Sequence, residues 1–185
     1  MTDDRRAVGF RVHSGWAAAS IVAGTIDAPR ILRRCKVVLA PSAAEEFTQP
    51  YHVAAKQDPE GARAVIARAE RSAQRLAMDG LRELLESAPV SACAIVTSRA
   101  RLPDDLASIL ASHALVHAAE GNLFREALAR AAVAYAFDVE RFVEQDLAPL
   151  LDCLQVSPGP PWTKDEKLAS LAGLLALERR VPVLV

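Results

Sequence analysis

Cysteine is scarce, and the three present, Cys35, Cys93 and Cys153, lie about 60 residues apart. An odd number at that spacing builds neither a disulfide framework nor a CxxC-type zinc site. Each has apolar neighbours, Cys35 in Cys35-Lys36-Val37-Val38-Leu39 and Cys93 in Cys93-Ala94-Ile95-Val96, so all three are expected to be reduced core residues. No uninterrupted apolar run approaches the roughly 20 residues that span a bilayer. Residues 1–6 lack the charged, hydrophobic, small-residue order of a secretory signal. A soluble cytoplasmic chain without a membrane partner is the expectation. Excess charge is missing too: 22 basic and 23 acidic residues give a formal net charge of -1, so no global field recruits a polyanion. Phosphate-loop, dinucleotide and nucleophile-elbow motifs are absent, as are internal repeats.

What is there suits one α/β domain. The 185 residues are 51% hydrophobic and 24% charged, with no shift of composition to mark a boundary, so residues 1–185 read as a single domain with a proper core. Val8, Phe10 and Val12 alternate with Gly9, Arg11 and His13, and residues 17–22 and 31–39 are further strand-like runs. Gly15 and the segment 24–29 punctuate them, with connections too short for crossover helices, which predicts an antiparallel three-stranded meander. Residues 41–51 read as a loop. Asp58 as N-cap and Pro59 at the first helical position then open a long amphipathic helix ending near Pro89.

Residues 91–97 follow as a short apolar run of the kind buried in mid-sheet. From Pro103, helical spacing runs through Leu106, Ile109, Leu110, Leu123, Phe124 and Ala131, with Gly121 as a candidate interruption. Residues 139–143 read as a strand, 148–154 as a short helix, and 157–161, with three prolines and a glycine, as a loop. Thr163 and Glu166 form a capping box for a last helix carrying Leu168, Leu171, Leu174, Leu175 and Leu177.

Three strands, helix, strand, helix, strand, helix resembles the ribonuclease H-like superfamily. Val12-His13-Ser14-Gly15 before a second strand resembles the Ile-Asp-Pro-Gly turn that begins RuvC-type Holliday-junction resolvases. The resemblance implies a mixed five-stranded sheet. It also implies two magnesium ions, held by carboxylates of the first strand, the fourth strand and the last helix, which stabilise the entering and leaving oxygens of a phosphodiester. In this chain the first-strand position is His13, a poor ligand for a hard cation, and the fourth-strand position falls near Ser98 or Arg99. The last helix retains Asp165 and Glu166, and Glu166 is already engaged by the capping box. Reading residues 114–119 as a strand instead would put Glu120 at its end as a family acid, but would leave His13 in place and the 91–97 strand unexplained.

Two other constellations carry chemistry. His113, His117 and Glu120 stand at i, i+4 and i+7, one face of a continuous helix and the spacing of helical metal sites. Leu110 and Leu123 on the same stripe favour partly buried, hydrogen-bonded histidines. At the carboxyl ends of the strands, His13, Ser14, Ser98, Arg99 and Arg101 would meet Lys164 at the start of the last helix, a set able to bind an anion. Strand ends are polar in most proteins, which favours plain strand termination there.

The favoured reading is a non-catalytic binding or assembly module without a cofactor, its partner a nucleic acid or a protein. Arg30, Arg33, Arg34 and Lys36 on the third strand are candidate phosphate contacts, and the apolar edge of that strand is a route to a homodimer. The alternative is a metal-dependent hydrolase or nuclease with a non-standard site. It would use a divalent metal at His113, His117 and Glu120, or phosphoester chemistry around His13 and Arg99, with Glu120, Asp165 and Glu166 as the available acids.

Overall fold

The computed structural model describes residues 5–41 and 44–179. Strands β1 (Arg6–His13), β2 (Trp16–Gly24) and β3 (Pro29–Val38) form the expected antiparallel meander. Gly15, at φ 81°, lets the β1–β2 connection close in two residues, a left-handed conformation costly for any residue with a Cβ. On the other side of β1, β4 (Ala92–Thr97) and then β5 (Val139–Val143) join in parallel, giving the order β3-β2-β1-β4-β5. Parallel pairing demands crossovers, and the helices supply them.

The pleat divides β1 between two cores. Val8, Phe10 and Val12 face α3 (Pro59–Ser87) and α5 (His113–Ala134), while Ala7 joins Val22, Ala92, Ala94 and Val96 against α7 (Lys164–Arg179). Asp58 caps α3 as expected, its carboxylate accepting from the backbone N–H of Glu60 at 3.0 Å and of Gly61 at 2.8 Å. The Thr163 capping box also forms: the Thr163 N–H donates to Glu166 Oε2 at 2.8 Å and the Glu166 N–H to Thr163 Oγ1 at 3.3 Å.

Four expectations are corrected. Residues 41–51 are not one loop, because α1 (Glu45–Thr48) and α2 (Pro50–Ala54) form there. Helices of one turn are too short to show periodicity, and α2 is held by Pro50 at its first turn and by burial of Pro50 and Ala54. The second helical region breaks before His113 and not at Gly121. Asp105 caps a short α4 (Leu106–Leu110), and α5 then runs unbroken through Gly121, which the Arg125 guanidinium covers. The alternative strand at 114–119 is therefore helix. Of the cysteines only Cys93 is buried: Cys35 is half-buried on the edge strand, and Cys153 is exposed. Cys153 ends a 3-10 helix (Ala148–Cys153) that lies on the surface after α6 (Glu144–Leu147), and all six of its residues have some exposure. Among the described residues, no helix is long and apolar enough to cross a membrane.

Candidate functional site

The pleat that turns Val12 inward turns Arg11 and His13 toward the face covered by α7, at the end of β1 where the α7 N-terminus arrives. His13 Nε2 lies 3.0 Å from Asp165 Oδ2, an ion-pair distance without hydrogen-bond alignment. Its ring stacks on Trp16 at 4.5 Å between centroids and 12° between planes, and the Lys36 ammonium sits 4.7 Å from the Trp16 ring centroid. Glu144 takes Arg11 at 2.7 Å and Lys164 at 2.9 Å. Glu166, besides capping α7, is 3.5 Å from Arg34, whose guanidinium also donates to the Pro161 carbonyl and lies over Trp162. Arg99 pairs with Asp146.

Four carboxylates thus gather at this end of the sheet, and each has a cationic or ionisable partner from the same chain. Of the residues expected to meet here, His13 and Lys164 do so, joined by Asp165 and Glu166 of α7, and Arg99 is tied to Asp146. Ser98 lies just past β4, while Ser14 and Arg101 are exposed in loops. Arg11 and Glu144 were not anticipated, and Arg34 was expected only as a phosphate contact of the third strand. Arg11 had left a signal in its shared alternation with His13. Burial works against ionisation of Glu144, but the hydrogen bond from Lys164 and the charges of Lys164 and Arg11 outweigh it and hold the carboxyl below the ordinary 4.5.

A group whose pKa is depressed by folding stabilises the fold above its unfolded pKa, and that contribution is lost as pH falls through the lower folded value. Urea midpoints taken between about pH 6 and pH 3 should therefore show Glu144→Gln less stable than the parent at the upper end, with the gap closing in acid. A gap that does not change with pH would mean that Glu144 acts through packing alone.

Two magnesium ions do not fit this arrangement. A hard cation needs anionic or carbonyl oxygens. The first-strand position offers the imidazole of His13. The β4 residue paired in register with Arg11 is Val96, which is buried and apolar. Asp165, Glu166 and Glu144 are already engaged by His13, Arg34, Arg11 and Lys164.

A second cluster lies on the α5 layer. His113 and His117, one turn apart at the start of α5, meet His52 from α2, with ring centroids 4.4 Å apart for His113 and His117, 4.6 Å for His52 and His117, and 5.5 Å for His52 and His113. One ring nitrogen from each lies within 4.8 Å of the other two. Glu120, one turn further along the same stripe, is not exposed with them. Its side chain is 2% exposed, and its Oε1 accepts from His52 Nδ1 at 2.7 Å and from the His52 backbone N–H at 3.3 Å. Burial, aided by the carboxylates of Glu70 and Glu120, pushes the neighbouring Tyr51 phenol up. His52 carries no signal of this role in the sequence, since nothing local ties it to a carboxylate 68 positions away.

No protein-family model matches the chain, and no curated protein matches its sequence. Solved structures do resemble it. Thermus thermophilus RuvC in complex with a Holliday junction substrate aligns at a TM-score of 0.51 with 13% identity, covering 92% of this chain and 90% of that one. A second structure of Thermus thermophilus RuvC aligns at the same TM-score and identity, covering 91% and 90%. The fold is ribonuclease H-like. At that identity the likeness is one of fold, and the meander, the parallel β4 and β5 and the closing helix fall in the order the sequence implied.

Proposed function

We propose that this chain is a non-catalytic binding or assembly module on a ribonuclease H-like fold. The observation that carries the reading is the replacement of a metal-binding carboxylate set by internal ion pairs at the end of β1. His13 faces Asp165, Arg34 faces Glu166, and Arg11 with Lys164 faces Glu144. A site built to hold cations would leave its carboxylates uncompensated until the ions arrive. Here the compensation is part of the fold.

Nucleic acid is the partner class to test first. The similar RuvC chain was captured with a Holliday junction substrate, and β3 carries Arg30, Arg33, Arg34 and Lys36 along the sheet edge. Arg33 and Arg34 are paired with Glu83 and Glu166, so a phosphate would have to compete with those carboxylates.

The test combines binding and cleavage. Purified protein is incubated with labelled four-way junction, duplex and single-stranded DNA in magnesium or manganese. No cleavage is expected. Binding is expected to weaken as salt rises, with a slope set by the number of phosphates contacted. Magnesium- or manganese-dependent cleavage lost in Asp165→Asn would overturn the non-catalytic reading. Failure to bind any polynucleotide at low salt would eliminate nucleic acid and leave a protein as the partner.

A further inference from the structure

We propose that His52, His113 and His117 bind a divalent transition-metal ion of the zinc class, with the fourth coordination position open to water or to an exogenous ligand. The donors come from α2 and α5, far apart in sequence, yet one nitrogen from each lies within 4.8 Å of the others. Tetrahedral zinc holds nitrogens at about 2.0–2.1 Å, which places them about 3.3 Å from one another. Closing the difference requires rotation of the His113 and His117 rings, which are exposed.

Glu120 is the second support. A buried carboxylate is costly unless it is paired, and this one is committed to His52, through both the ring Nδ1 and the backbone N–H. With Nδ1–H donated to Glu120, the Nε2 lone pair of His52 is free for a metal. The carboxylate also fixes the ring's orientation, as carboxylates behind metal-bound histidines do. Glu120 is thus a positioning residue and not a ligand, which reverses the role its helical spacing had offered it.

Charge points the same way. The three imidazoles pack edge to face at 4.4, 4.6 and 5.5 Å between centroids, and the buried Glu120 carboxylate offsets part of a bound ion's charge. An all-imidazole set selects zinc, nickel or copper over magnesium or calcium. The cluster lies on the α3–α5 layer, across the sheet from His13 and Asp165, so it stands or falls independently of the binding-module reading.

Calorimetric titration of the chelator-treated full chain with zinc chloride tests this. One zinc per chain is expected, with a Kd at or below about 10 μM. The thermal unfolding midpoint should rise, because the ion binds only the folded state. A large excess of magnesium should not compete. His113→Ala and His117→Ala change exposed side chains, and should retain the parent circular dichroism and lose the ion. Glu120→Gln should weaken binding by about 10- to 100-fold. If Glu120→Gln does not fold, the two exposed variants still decide. A Kd above the stated limit overturns the proposal, as does zinc bound equally well by the His113→Ala/His117→Ala double variant.

Discussion

Gly9→Ala should cost about 3 kcal/mol or more in a urea titration, among the largest losses any single substitution in this chain produces. Gly9 lies mid-way along β1 on the face that α7 covers. A Cβ added there would overlap the carbonyl oxygen of Ala169 and come within 2.9 Å of the Ala169 carbonyl carbon and the Gly173 amide nitrogen. These are backbone atoms on a packed helix, so no rotamer change relieves the clash, and either the helix or the strand must move. Gly159→Ala is the comparison: its φ of 88° is unfavourable for alanine, but nothing lies within 4 Å, and a loss of about 1–2 kcal/mol is expected. If Gly9→Ala costs no more than Gly159→Ala, the close approach of α7 to β1 is wrong. That approach matters beyond stability. It seats the first turn of α7 against the end of β1, which is why Asp165 reaches His13 and why Lys164 reaches Glu144.

Elements with a strong local signal were legible in the sequence. Alternation at Val8, Phe10 and Val12, the Asp58-Pro59 helix start and the Thr163–Glu166 capping box each report a physical preference that acts within a few residues, and each is realised. The order of elements then sufficed for the ribonuclease H-like sheet, because connection length restricts how strands can pair. The one-turn helices at 45–54 escaped because tertiary burial holds them, and with them went the place of His52. The break before His113 escaped because Gly121 is the stronger breaker by composition, yet there the Arg125 side chain lies over the helix.

The site was legible only as a list of residue types. His13 could be assigned to the end of the first strand and Asp165 and Glu166 to the start of the last helix, but whether the acids face the strand ends, and whether they are free or paired, depended on packing and on Arg34 and Glu144, which arrive from other elements. That difference separates a cation site from a neutralised surface. For the histidines the outcome is similar. The i, i+4 spacing on α5 is visible in sequence, while the third imidazole and the burial of Glu120 are products of packing.

Phe124→Ala should cost about 3–5 kcal/mol, the range for removing a fully buried aromatic ring and leaving a cavity. Phe124 is 0% exposed, and it shares one face of α5 with Glu120 four residues before it and Leu128 four residues after, both buried. This stripe fixes the rotation of α5 about its own axis and so carries Glu120 inward to His52, while His113 and His117 lie on the same stripe nearer the start of α5, where they are exposed. Phe124→Leu keeps much of the volume and should lose less, and the two variants together separate cavity formation from loss of the ring itself. Denaturant midpoints give the measurement. A loss below about 1 kcal/mol for Phe124→Ala would be typical of a surface substitution, and would mean that α5 is not seated in a close-packed core. The orientation of the three histidines would then have lost its support. A loss in the expected range ties the histidine cluster to the main core of the protein, with α5 as the element that serves both.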